Sequence, residues 1–201
     1  MSAYPLMLEG TALRALVVGG GSVATRKARA LLDAGATVRL VAPRIDEALR
    51  SLDSVRLALA MREYAPDDIA DALLVIAATS SRAVNAQVAE DARARGRLVN
   101  VTDAPADGNC VTPATHRAGN LVVAVAAAGV PPAARRIRDS IAARYGESYA
   151  HAVAELATIR TGLLADDQRA RWADVVDEVV GPDFCETVER GMFADRVAPW
   201  R

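Results

Sequence analysis

The sequence predicts an α/β fold, a parallel sheet with helices on both faces, followed by a small α+β segment and a helical tail. Three observations carry this. An apolar run, Leu16-Val17-Val18, opens directly into Gly19-Gly20-Gly21 and then into a helical pattern. Short apolar runs then alternate with helical or loop stretches as far as Val101, and parallel neighbours need such crossover connections. Beyond Pro105 the character changes to a loop, a strand and, from Ser148, helical text.

In chain order, Leu13 to Val18 reads as a short buried strand. Val23, Ala28, Leu31, Leu32 and Ala34 give the next helix an apolar face, and Gly35 ends it. Thr37 to Ala42 supplies the second strand, which places the glycines inside a strand, helix, strand unit. Further strands are expected at Val55–Leu59, Leu73–Ala78 and Leu98–Val101, with a helix over Arg82 to Arg95 ending near Gly96. Ala106 to Asn109 reads as a loop, Asn120 to Ala127 as one more strand, and Pro131-Pro132 as the start of a helix. The tail shows breaks near Gly162 to Asp167 and at Gly181-Pro182. Its Val153, Leu156, Ile159, Leu163, Trp172, Val175, Val176, Val179 and Val180 read as core. The expected divisions are 1–112, 113–147 and 148–201.

The glycine segment has the form of a pyrophosphate-binding turn. Gly19 suits the tight turn, Gly20 continues it, and Gly21 lets backbone approach phosphate without a Cβ. Ala24 fills the third small position, where helix packs on strand. The helix that begins at Ser22 and Val23 then offers unpaired amides to an anion. Ligand-binding loops of such sheets lie at the carboxyl ends of strands. That rule selects Gly19 to Val23, Ala42-Pro43-Arg44, Thr79-Ser80-Ser81 and Asn100 to Asp103 as one crevice. Asp103 sits before Ala104-Pro105, where a carboxylate serves equally well as a turn residue or as a proton acceptor. Asn100 suits orienting a ligand or satisfying loop amides.

Composition bounds the rest. The 201 residues are 52% hydrophobic and 24% charged with a formal net charge of -1, so no global field draws the chain to nucleic acid or membrane. The opening Met1 to Pro5 lacks a basic segment followed by a long apolar run, and the sequence reads as cytoplasmic. Cys110 and Cys185 read as small buried side chains, suggesting neither a disulfide framework nor a cysteine zinc site. His116 and His151 are too few for a histidine metal cluster, so no metal site is expected. Neither a repeat nor a low-complexity segment is evident beyond a richness in alanine.

Gly19 to Lys27, Asn100-Val101-Thr102-Asp103-Ala104-Pro105 and Asn120 to Val125 together resemble the precorrin-2 dehydrogenase family, the siroheme synthase amino-terminal module. Tyr4-Pro5 with Leu6-Met7-Leu8, and Ala78-Thr79 with Asn85, look like that family too, and the match runs essentially end to end. The resemblance implies a Rossmann-like domain and oxidation of precorrin-2 to sirohydrochlorin with NAD, with ferrous iron insertion to give siroheme in some members. It implies Asp103 as the catalytic aspartate and a homodimer paired through the strand at Leu121 to Ala127. A polycarboxylate tetrapyrrole needs positive charge, which Arg117, Arg135, Arg136 and Arg138 can supply, with Asn100 orienting it. The same arginines also read as a solvated helix face.

The sequence departs from pattern in places. The acid expected roughly 20 residues after the glycines to hold the ribose hydroxyls is absent from Val41-Ala42-Pro43-Arg44. Arg44 alone would suit the 2′-phosphate of NADP, whereas the resemblance implies NAD. Ala127 and Ala128 stand where some relatives carry a phosphorylated serine, so phosphate regulation is not expected. No uroporphyrinogen methyltransferase domain is expected after Arg201. A different class of reading is a non-catalytic NAD-sensing regulatory module, since fold alone does not fix function.

Overall fold

The computed structural model describes residues 3–52 and 54–201. Met1 and Ser2, part of the stretch read for a leader, lie outside the described residues. The chain divides into two compact units, Met1–Thr112 and Pro113–Arg201.

The first unit runs β1 (Arg14–Val18), α1 (Ser22–Asp33), β2 (Thr37–Val41), α2 (Glu47–Arg50), β3 (Leu57–Ala60), β4 (Leu74–Ala77), α3 (Arg82–Ala94) and β5 (Leu98–Val101). Its five strands pair in parallel in the order β3-β2-β1-β4-β5. Alternation along each strand sends Ala15, Val17, Val38, Leu40, Leu74 and Ile76 into a core shared with α1. It sends Leu16, Val18, Val75, Ala77, Val99 and Val101 to the opposite face, against α3. Burial on both faces explains why these strands read as continuous apolar runs rather than alternating ones. Burying a Leu, Ile or Val of this kind contributes about 1.5–3 kcal/mol.

The strand order fixes where a ligand can enter. From β1 the chain winds through β2 to β3, then crosses back to lay β4 against the other side of β1. The crevice of an open parallel sheet lies at such a reversal, outside the carboxyl ends of the strands. Beyond β5 the chain covers its own sheet edge. Val99 N–H donates to Asn109 Oδ1 at 2.7 Å and Asn109 N–H to the Val99 carbonyl at 3.0 Å.

Among the described residues, one charged group is buried in this unit. Asp68, in the 3₁₀ turn Pro66–Ile69, has a side chain 1% exposed. It accepts both Arg62 guanidinium nitrogens, at 2.7 and 2.5 Å, and the Ala65 N–H at 2.9 Å, with Arg39 at 3.2 Å. The Arg62 hydrogen bonds hold its carboxyl below the usual carboxylate range against the opposing cost of burial.

The second unit holds β6 (Ala114–Ala118), β7 (Leu121–Val125), α4 (Pro131–Arg144), α5 (Glu147–Ala165), α6 (Arg169–Val179), α7 (Phe184–Glu189) and α8 (Phe193–Val197). The expected single strand at 120–127 is instead the second half of an antiparallel hairpin. Its two-residue turn, Gly119-Asn120, is entered by Gly119 at φ 55°, a left-handed conformation glycine adopts without steric cost. Segments 113–147 and 148–201 fall in this one unit. Leu121 and Tyr145 pack against a core of Tyr149, Ala152, Ile159, Val175, Val179, Val188, Phe193 and Val197. Val176 and Val180, expected in that core, are each 38% exposed. They flank the buried positions Val175 and Val179 on α6, and the helical turn rotates them outward. The chain also stays helical through Gly162, where a break was expected, and α5 ends at Ala165.

Among the described residues no helix is long and apolar enough to cross a membrane, and no group of three or more His, Cys, Asp or Glu could hold a metal ion. Cys110 and Cys185 are free thiols and only partly buried, less so than their sequence context suggests.

Candidate nucleotide and catalytic site

The three glycines do different work. Gly19 has φ 129°, its N–H donates to the Val41 carbonyl at 3.0 Å, and a Cβ there would stand 2.3 Å from the Ala78 carbonyl oxygen at the exit of β4. A Cβ on Gly20 would stand 1.9 Å from the Arg44 carbonyl oxygen, beyond the end of β2. Both glycines are therefore demanded by neighbouring backbone. Gly21 has an ordinary extended conformation, φ -91° and ψ -170°, and nothing lies within 4 Å of a Cβ built on it. The open space in front of Gly21 is the one a ligand would use.

That space faces the start of α1. Gly21 is the N-cap of α1 and makes no side-chain cap, so the first-turn amides, including those of Ser22 and Val23, have no intrahelical partner. The Gly21 carbonyl is already taken by the Thr25 N–H at 2.9 Å and the Thr25 hydroxyl at 3.0 Å. A small backbone opening ahead of uncapped amides is the arrangement that a pyrophosphate needs. These residues fit a dinucleotide.

The remaining loops gather around the same strand ends. Ala42 is buried against the α1 face, whereas Pro43 and Arg44 are exposed just beyond it. At the exit of β4, Thr79 meets Asn85, a fully buried residue of the first turn of α3. Asn85 Oδ1 accepts from the Thr79 N–H at 3.1 Å and hydroxyl at 2.7 Å. Asn85 Nδ2 donates to the Thr79 carbonyl at 3.1 Å and to Asp103 Oδ1 at 2.9 Å. One amide therefore ties the β4 exit to the carboxylate after β5. Asp103 is otherwise exposed, so a second oxygen remains for a ligand. Asn100 is 6% exposed and donates Nδ2 to the Cys110 carbonyl at 3.2 Å, on the α1 face of β5.

Sequence reasoning overlooked two residues here. Asn85 entered only as part of a resemblance, and its position on α3 gives no hint of a bond to Asp103. Asp46 lies beyond Arg44, further from β2 than the position where the pattern expects an acid. Its N–H donates to the Gly20 carbonyl at 2.8 Å, and it lines a depression with Ser22, Thr25, Arg26 and Arg29 beside the start of α1. An unassigned acid a few residues past a strand end was the signal available for it.

In the second unit, Arg117 lies on β6 and Arg135 and Arg136 on α4, all three exposed. Arg138 is committed within its own unit, donating to Asp139 Oδ1 at 2.7 Å and to the Thr115 carbonyl at 3.2 Å. His116 Nε2 donates to the Tyr145 carbonyl at 2.6 Å, a packing role.

A five-stranded parallel sheet, a glycine turn ahead of an uncapped helix and convergent strand-end loops define a dinucleotide-binding domain. A family model described as "Putative NAD(P)-binding" matches residues 6–114, and the chain belongs to that family. The chain is 41% identical over 201 residues to a siroheme synthase of Pseudomonas fluorescens strain Pf0-1, a match covering 98% of this chain and 41% of that protein. It is 38% identical over 206 residues to a siroheme synthase of Pseudomonas aeruginosa strain LESB58, covering 100% of this chain and 42% of that one. The chain thus spans about two fifths of the length of these curated relatives. Among solved structures, "SirC, precorrin-2 dehydrogenase" superposes with a TM-score of 0.78 at 24% identity, covering 98% of each chain.

Proposed function

We infer that the protein is a precorrin-2 dehydrogenase, oxidising precorrin-2 to sirohydrochlorin with NAD as acceptor. The observation that carries this reading is the Asn85 clamp, which holds the Asp103 carboxylate at the strand-end crevice whose glycine turn fits a dinucleotide. The siroheme synthase names of the relatives and the precorrin-2 dehydrogenase name of the structural neighbour support the substrate.

When bound, NAD supplies the hydride acceptor. The chain does the rest. The α1 amides and the open face at Gly21 take the pyrophosphate, and exposed Pro43 and Arg44 border the adenosine end. Asp46 offers a carboxylate to a ribose diol, which suits NAD better than a 2′-phosphate does. Asp103 accepts a proton from the macrocycle as it is oxidised, and Asn85 fixes the carboxylate through one oxygen, leaving the other for the ligand. Arg117, Arg135 and Arg136 are exposed cations suited to tetrapyrrole carboxylates. In the same reading the protein is a cytoplasmic homodimer joined through the hairpin strand β7. Ferrous iron insertion, were it present, uses the tetrapyrrole itself as the metal's ligand and Asp103 to take the pyrrole protons.

Anaerobic incubation of the protein with precorrin-2 and NAD, with and without ferrous iron, tests this. The account expects the absorbance of sirohydrochlorin to rise together with NADH at 340 nm. Siroheme follows only if iron is also inserted. A nucleotide sensor would bind NAD and leave the tetrapyrrole spectrum unaltered, and that result overturns the assignment.

A further inference from the structure

The α1 face of the first unit carries a polar cluster that the nucleotide does not require. Lys27, in the second turn of α1, is half-buried, and its ammonium donates to the Thr112 hydroxyl. Cys110 packs on the same face of the sheet, two residues before Thr112. The Cys110 carbonyl is in turn held by the Asn100 amide, three residues before Asp103 on the same strand exit. The cluster therefore adjoins the proposed catalytic crevice on the side opposite to Asn85, since strand alternation turns Asn100 toward α1 and Val101 toward α3.

What sets Lys27 apart is the lack of a counter-charge. Its neighbour on α1, Arg26, is itself a cation, and burial pushes the Cys110 thiol further from ionisation. Desolvation and Arg26 together lower the Lys27 pKa. The chain has 25 acidic residues, and among the described residues none forms an ion pair with Lys27. A partly desolvated ammonium without an acid carries a free-energy cost that an anion from outside would offset. A pyrophosphate on the first-turn amides is a poor candidate. Lys27 lies five residues further along the helix, about 7.5 Å at 1.5 Å per residue, and its ammonium is turned to Thr112.

We propose that Lys27 is a carboxylate-binding residue of the tetrapyrrole site, gripping one acidic side chain of the macrocycle with the Thr112 hydroxyl as second donor. This rests on the dehydrogenase reading and adds to it a binding group from the nucleotide-binding unit itself. A charge-assisted hydrogen bond of this kind is short and about twice as strong as a neutral one.

The test compares wild type with Lys27→Met, Lys27→Arg and Thr112→Val. Sirohydrochlorin binding is followed by fluorescence quenching at saturating NAD, NAD binding by calorimetry, and folding by thermal melts. Lys27→Met is expected to weaken sirohydrochlorin binding by about 10-fold or more and to flatten its salt dependence, while NAD affinity stays unchanged. Lys27→Arg should recover most of the loss, and Thr112→Val should cost only a few-fold. Unchanged sirohydrochlorin affinity in a folded Lys27→Met protein overturns the proposal and leaves the dehydrogenase reading intact. Loss of NAD affinity in that variant overturns it in favour of a phosphate contact. If Lys27→Met fails to fold, equal sirohydrochlorin affinity in wild type and Thr112→Val overturns it. A wild type that binds NAD but no sirohydrochlorin removes the dehydrogenase reading and this inference with it.

Discussion

At the scale of single residues, two buried polar side chains of the first unit, Asn85 and Asp68, each hold several partners. Asn85 is the clearest case, because its one buried amide makes four hydrogen bonds and reaches both Thr79 and Asp103. Replacing it with Ala leaves the Thr79 N–H unpaired and frees the Asp103 carboxylate to rotate. Turnover should fall by about 10²-fold, the scale of misplacing a reacting group, while NAD affinity changes little. Steady-state kinetics beside a binding titration checks this, and equal losses in both would mean that Asn85 only holds the fold.

Asp68 makes a different prediction. Its folded pKa is lowered, so its contribution to stability is present above the unfolded carboxylate value and is lost as pH falls through the folded value. Asp68→Asn should cost about 2 kcal/mol at pH 7, since it breaks a charge-assisted network at a buried side chain. The gap in melting temperature between variant and wild type should close as pH drops below about 4, toward the lowered pKa. A gap that persists at low pH would mean that shape rather than charge holds the turn. Little of this was visible in the sequence. Arg62 and Asp68 are six residues apart across an irregular stretch and the start of a 3₁₀ turn, and Arg39 arrives from β2.

Among the elements, the turn from β1 into α1 shows how far pattern can go. The apolar run, the glycines and the helical periodicity located it, because each is a local constraint written in adjacent residues. The division of labour among its glycines was not legible, since it depends on the backbones of Ala78 and Arg44, which lie just past the ends of β4 and β2. The structure therefore separates two substitutions that the motif treats alike. Gly20→Ala should lower the melting temperature, as its Cβ meets the Arg44 carbonyl. Gly21→Val should fold with a near-normal melting temperature yet weaken NAD binding by blocking the approach of phosphate. Thermal melts with and without NAD distinguish them, and a strongly destabilised Gly21→Val would assign that glycine a structural role.

The hairpin of β6 and β7 is the element that sequence missed by half. Ala114 to Ala118 contains a histidine and an arginine and no large apolar residue, so nothing in its hydrophobicity marks a strand. The Gly119-Asn120 dipeptide was the readable signal, because Gly-Asn between two extended runs is a hairpin turn. In the same way, Val176 on α6 and Val180 at its end were misplaced because one apolar stripe was drawn too wide.

For the whole molecule, the sheet order β3-β2-β1-β4-β5 does most to define function. It was foreseeable in class from the alternation of strands and helices, and it brings the glycine turn, Thr79 and Asp103 to one end of the sheet. The arginines read from sequence as tetrapyrrole contacts lie in the second unit, on β6 and α4. The proposed dimer is a prediction at this scale. Sedimentation equilibrium should give twice the chain mass of 21.2 kDa, and a concentration-independent monomer would contradict pairing through β7.

In the proposed reaction a carboxylate at the β5 exit serves an oxidation driven from the glycine turn. The most direct measurement compares Asp103→Ala with wild type in anaerobic turnover of precorrin-2 and, separately, in NAD binding. The account predicts unchanged NAD affinity with turnover reduced by about 10²-fold or more, the contribution of a general base. Near-normal turnover in that variant would contradict it.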